Sequence, residues 1–217
     1  MFHLRLDCPS QESCKVLCLG AHSDDIEIGC GGTVLRLLKM YPNAEVWWVV
    51  FSAAGSRHRE ARNSAHAFLK GASKSKVVLK RFRESYLPFR GEEVKDFFES
   101  IKRSFSPDVV FTHYRHDLHQ DHRVISDFTW NTFRNHLVLE YEIPKYDGDL
   151  GVPNTFVPLD SATCQAKVKH LLTHFQTQRG KHWFSEDLFL SLLRLRGMEY
   201  NASSRYAEAF YSRKLLL

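Results

Sequence analysis

The chain lacks a long hydrophobic run. Its densest apolar stretch, VWWVVF at residues 46–51, falls far short of the roughly 20 residues that cross a bilayer. The opening residues, MFHLRLDCPSQES, do not read as a secretory signal. A cytoplasmic protein with no integral membrane segment is therefore expected. Cysteine is scarce: five residues in 217, an odd count with no CxxC pair. That pattern reads as small buried hydrophobes in a reducing compartment rather than as zinc or catalytic cysteines. A strong excess of one charge is missing too. The net charge is only +5, and the basic residues are scattered. They read either as a solvated surface or as a preference for a substrate carrying phosphate or carboxylate. No nucleic-acid-binding motif of the usual kinds is present. Gly20, Gly29, Gly31 and Gly32 follow the first strand-like run but lack the G-x-G-x-x-G spacing. The acids between them would also repel a pyrophosphate, which argues against dinucleotide binding.

What is present is a chain of ordinary globular composition, long enough for one sizeable core. Short apolar runs alternate with stretches of helical periodicity. KVLCLGA (15–21), EVWWVVFS (45–52), SKVVLKRF (75–82) and DVVFTHY (108–114) are expected as strands. Helices are expected in GGTVLRLLKMYPNA, SRHREARNSAHAFLKG, GEEVKDFFESIKRSF and DHRVISDFTWNTFRNHL. Alternation with short loops implies right-handed crossovers, hence a Rossmann-like, mostly parallel α/β sheet with helices on both faces. Residues 1–217 are taken as a single domain, with its core at 15–140 and a more irregular extension at 140–217. In the extension, LEYEI is strand-like, and a loop rich in Pro, Gly, Asp and Asn runs to residue 159. Residues 161–179 and 183–196 are expected as helices, and SRYAEAFYSRKLLL as an edge strand.

Two polar clusters stand where strands end, the edge at which parallel sheets bind ligands. GAHSDDIEIGCGG (20–32) carries His22, Asp24, Asp25 and Glu27; HYRHDLHQDH (113–122) carries His113, His116, Asp117, His119, Asp121 and His122. Clustered carboxylates repel one another and are costly to bury unless a cation compensates. Two histidines and a carboxylate would hold zinc and leave a position open for water. The remaining acids and histidines would supply proton transfer. This set fits metal-assisted hydrolysis of a carbonyl or phosphoryl compound.

AHSDDIEIGCGGT resembles the AHPDDE signature of the LmbE-like, or PIG-L, zinc-dependent N-acetylglucosaminyl deacetylases, and HDLHQDHR resembles the same family's HPDH signature. GSRHREARNSAHAFLKG resembles its R-x-x-E helix, and EIPKYDGDLGVPNTFVPL resembles a loop of many bacterial members. Two departures stand out: Ser23 replaces the usual proline, and Ile26 replaces the usual glutamate, with Glu27 one place later. By position, the resemblance implies one Zn2+ per chain on His22, Asp25 and His122. It implies Asp24 as the base that activates the metal-bound water. His119 would stabilise the oxyanion or protonate the leaving amine. Asp121 would orient a histidine; placed beside His119, it would raise that ring's pKa. Arg57 matches a substrate-contacting arginine, and Asp117, at a place where some members carry a tyrosine, is expected with it at the substrate. Tyr146, Asp147 and Asp149 are candidates for sugar hydroxyls, or simply close a structural turn. His113 and His116 read as polar-loop residues.

The function so implied is hydrolytic removal of an N-acetyl group from an amino sugar or its conjugate. The partner would be a small N-acetylated sugar and not a nucleic acid, with homo-oligomerisation left open. The rival classes are a metal-dependent hydrolase of another bond, such as a phosphoester, and a catalytically inactive carbohydrate-binding member of the fold.

Overall fold

The computed structural model describes residues 13–215. The opening segment judged against secretory signals, Cys8 within it, and the last two residues of the C-terminal strand-like stretch lie outside them. Seven strands form one sheet in the order β3-β2-β1-β4-β5-β7-β6. The first five are β1 (Lys15–His22), β2 (Glu45–Ser52), β3 (Lys74–Leu79), β4 (Val109–His113) and β5 (Leu137–Tyr141), all parallel. β7 (Tyr206–Ser212) then runs antiparallel between β5 and β6 (Thr155–Leu159). The sheet is therefore α/β and mostly parallel, as expected. Two details differ. The C-terminal strand is interior, not an edge, and a strand emerges at Thr155–Leu159 where a loop was expected.

Strand alternation sorts the core into two layers. Val16 and Cys18 of β1 face one side with Trp48 of β2. That side is covered by α1 (Asp25–Met40), α2 (Gly55–Phe68) and α5 (Ser161–His174), through Val34, Phe68 and Leu171 among others. Leu17 and Leu19 face the other side, under α3 (Gly91–Ser104) and α4 (Gln120–Thr132). A last helix, α6 (Glu186–Glu199), packs on β7. Cys18, Cys30 and Cys164 are buried free thiols, as expected for small hydrophobes. Cys14 differs in being disulfide-bonded. Among the described residues no helix is long and apolar enough to cross a membrane.

α1 starts at Asp25, six residues before the expected start at Gly31, so Gly29 lies inside it with Gly31 and Gly32. Glycine there allows close packing. A Cβ on Gly29 would sit 2.1 Å from the Tyr141 ring, and one on Gly31 would sit 2.6 Å from Phe68. Tyr141 cannot retreat easily, because it is fully buried and its hydroxyl donates to the Leu19 carbonyl at 2.6 Å. Gly29→Ala is therefore expected to destabilise by about 1–3 kcal/mol through overpacking. Thermal unfolding would read this as a fall of roughly 2–10 °C. Gly71→Ala, whose new Cβ meets only Leu38 at 3.6 Å, is the control expected to leave the midpoint in place.

Candidate metal and catalytic centre

β1 and β4 are neighbours in the sheet, with Val16 opposite Val109, so their carboxyl ends open onto one crevice. His22 ends β1, Asp24 caps α1 and Asp25 begins it. Carboxylates suit this place, since the helix N-terminus carries partial positive charge. Across the crevice His113 ends β4 and His119 caps α4, its Nδ1 accepting the Asp121 N–H at 3.2 Å. One helical turn into α4, His122 turns back to the same point.

Three atoms meet there. His22 Nδ1 lies 3.1 Å from His122 Nε2 and 3.4 Å from Asp25 Oδ2, and His122 Nε2 lies 3.6 Å from Asp25 Oδ2. A tetrahedral zinc with bonds of about 2.0–2.1 Å places its ligand atoms about 3.3–3.4 Å apart, so the triangle has the size of one face of such a site. All three residues are buried. Each histidine is steadied by a carboxylate on its other nitrogen. Asp121 Oδ2 is 3.1 Å from His22 Nε2, and Asp117 Oδ2 is 2.9 Å from His122 Nδ1. That arrangement fixes ring orientation and tautomer for a metal. Asp121 is itself held by the N–H groups of Ser85 and Leu87, at 2.7 and 3.1 Å.

The electrostatics are those of a pocket built for a cation. Burial pushes the His22 pKa down, but Asp25 and Asp121 outweigh it and hold the ring near 10. Burial raises Asp25, yet His122, His22 and His113 pull it well below the ordinary range. Burial keeps His122 neutral, down at about 3, the form that offers a nitrogen to a metal, whereas His22 carries a proton that a bound cation would displace. Asp24 is not part of the triangle. Its Oδ1 accepts from Arg57 at 2.6 Å, while its Oδ2 is buried with no partner. Burial raises its pKa, against the opposing pull of Arg57. Asp24 lies close enough to Asp25 and His22 to feel their charges, so its unpartnered oxygen is a spare acceptor next to the triangle. The two imidazoles, one carboxylate and this spare acceptor fit a catalytic zinc.

Residues 17–133 match the PIG-L family, described as GlcNAc-PI de-N-acetylase. The chain belongs to the PIG-L family. A relative in Escherichia coli K12, the "uncharacterized deacetylase YaiS", is 30% identical over 140 residues, covering 59% of this chain and 74% of that one. Among solved structures, the N,N'-diacetylchitobiose deacetylase of Pyrococcus horikoshii shares 22% identity, covers 96% of this chain and 87% of its own, and superposes with a TM-score of 0.67. The 4-carboxy-2-hydroxymuconate hydratase GalB of Pseudomonas putida KT2440 shares 17% identity, covering 94% of this chain and 97% of its own, with a TM-score of 0.66. The fold thus serves a hydratase as well as deacetylases, and the chemistry must be argued from the site.

Several residues of this PIG-L chain sit differently from the sequence expectation. Asp121 pairs with His22, not with His119. The His119 pKa is consequently lowered, by burial and by the neighbouring His22 charge, rather than raised. Asp117, expected at the substrate, is buried and spent: Oδ1 accepts the His119 N–H and Oδ2 accepts from His122. Arg57 is largely buried and committed to Asp24, with Glu84 at 3.6 Å. Tyr146 and Asp147 are exposed at a loop tip, Tyr146 at 76%. Glu27 is fully buried within α1, and that burial drives its pKa well up.

Sequence reasoning missed His113. It is a buried strand residue, not a loop residue. Its Nε2 accepts the Ala21 N–H at 2.9 Å and lies 3.2 Å from Asp25 Oδ2. Its ring stacks on His122 with centroids 3.9 Å apart. Nε2 is thus occupied, and His113 acts as the wall against which Asp25 and His122 are placed. The available signal was its position as the last residue of a buried apolar run.

Proposed function

We propose that this protein is a zinc-dependent deacetylase that hydrolyses the N-acetyl group of an amino sugar or amino-sugar conjugate. The observation that carries the reading is the triangle of His22 Nδ1, Asp25 Oδ2 and His122 Nε2 with the unpartnered Asp24 Oδ2 beside it. Family membership and the deacetylase relatives support the reaction class. His22, Asp25 and His122 would hold the ion. When bound, zinc supplies Lewis-acid polarisation of the acyl carbonyl and lowers the pKa of a coordinated water.

The chain's own groups supply the rest. Asp24 Oδ2 takes the proton of the attacking water, and Arg57 on Oδ1 keeps the carboxylate turned that way. His119 uses Nδ1 to accept the Asp121 N–H, so its Nε2 carries the hydrogen and donates to the oxygen on which charge develops. With its pKa lowered, His119 serves as a neutral donor and not as the imidazolium expected from sequence. The proton on Asp24 then passes to the leaving amine. Tyr146 and Asp147, exposed at the loop tip, are left to meet the sugar, while Arg57 serves Asp24.

The test is metal content of the purified protein followed by acetate release from a panel of N-acetyl sugars and phosphomonoesters. Zinc near one per chain with acetate released is expected. Phosphate released in place of acetate, or full activity after complete chelation, would sink the reading. His119→Ala is expected to lower kcat by about 10², the cost of one oxyanion donor, with zinc retained. Loss of zinc in that variant would make His119 a ligand instead.

A further inference from the structure

The loop after β5, residues 142–154, was expected to matter through Tyr146 and Asp147. The atoms that reach the centre are others. Lys145 Nζ donates to Asp117 Oδ2 at 2.9 Å, the same oxygen that receives His122 Nδ1. Asp149 accepts from the same ammonium, at 2.6 Å on Oδ1, and its Oδ2 accepts the Leu118 N–H at 2.7 Å. The three side chains are nearly closed off from solvent: Lys145 is 12% exposed, Asp117 2% and Asp149 6%. Gly148, at φ +62, supplies the left-handed turn that brings Asp149 back to Lys145. The base of the loop is pinned separately, since Glu142 accepts the Gly151 N–H and Arg196 donates to the Gly151 carbonyl.

We propose that Lys145 and Asp149 are positioning residues of the metal centre: they clamp the Asp117 carboxylate and the Leu118–His119 backbone, and so hold His122 in its ligand rotamer. The inference rests on the metal-site reading above and extends it to a loop outside both signature motifs. Its physics is placement rather than field. A free ammonium this close to a cation would weaken binding by repulsion, but Asp149 sits on the same nitrogen and cancels its charge. What remains is geometric. Asp117 is buried, and His122 needs that carboxylate held in one orientation. Removing an anchored partner of a ligand histidine typically costs about 10–100-fold in metal affinity or activity.

The test is zinc affinity of the chelator-stripped full-length protein, measured by competition with a chromophoric chelator, alongside its thermal unfolding without metal. Lys145→Met and Asp149→Asn are each expected to weaken zinc binding about tenfold or more while the metal-free midpoint stays close to wild type. Lys145→Arg, which keeps charge and donors, is expected to recover part of the loss. Tyr146→Ala and Asp147→Ala, at the exposed tip of the same loop, are expected to bind zinc as the wild type does. The inference is overturned if Lys145→Met and Asp149→Asn bind zinc with wild-type affinity, or if their losses are matched by a lower metal-free midpoint and by the tip variants. A wild-type protein that takes up no zinc at all is a different failure, that of the metal-site reading itself.

Discussion

Asp24→Asn is expected to keep its metal and lose about 10²–10⁴ in turnover. The carboxylate has one oxygen bonded to Arg57 and one buried and free, so the substitution changes a single capacity. The amide oxygen can still accept from Arg57. The amide nitrogen on the other side can only donate, and it cannot take a proton from attacking water. The metal triangle is untouched, because Asp25 rather than Asp24 supplies the ligand oxygen. Folding should not suffer either, since burial already strains the charge that the substitution removes. The measurement is kcat with zinc content determined on the same sample. A variant with near wild-type turnover would show that the base lies elsewhere.

Much of this molecule was legible because local pattern and tertiary role agree. β1, β2 and β4 are buried on both faces, so each reads as an unbroken apolar run with a polar residue where it meets the crevice. That rule alone placed His22 and the His119–His122 pair at one sheet edge. It failed where the cause lies far away in sequence. β6 contains Pro158 and is half-buried, so it looks like loop; it is a strand because β7 pairs with it across residues 155–159. The helix expected from Gly31 starts at Asp25 instead, and Gly29, Gly31 and Gly32 within it leave no room for a Cβ because Tyr141, Phe68 and Leu159 press against them. Asp121 lies beside His119 in sequence, but its side chain leaves α4 toward β1 and meets His22. Asp117 was taken for a substrate contact because nothing local announces Lys145, a residue on the next strand's exit loop. Residue types told which atoms could bind a metal; which carboxylate serves which histidine is settled by packing between elements.

His122→Ala is expected to abolish metal binding and, with it, activity. Two groupings of ligand-capable atoms exist among the described residues: His22 with His119 and His122, and Asp25 with His113 and His122. His122 belongs to both. It also supplies the corner of the triangle with His22 and Asp25. Whichever of these groupings an ion takes, His122 is among its ligands. The loss should exceed the about 10–100-fold that removal of a supporting partner costs. The fold should survive it. Asp117 would lose its bond to His122 but keep Lys145 and the His119 N–H, so its charge stays compensated and the destabilisation stays near about 1–3 kcal/mol. Zinc content, circular dichroism and acetate release on one preparation separate these outcomes. A folded His122→Ala protein that still carries zinc, set against a His119→Ala protein that has lost it, would mean that the ion sits one helical turn nearer the solvent than this geometry places it.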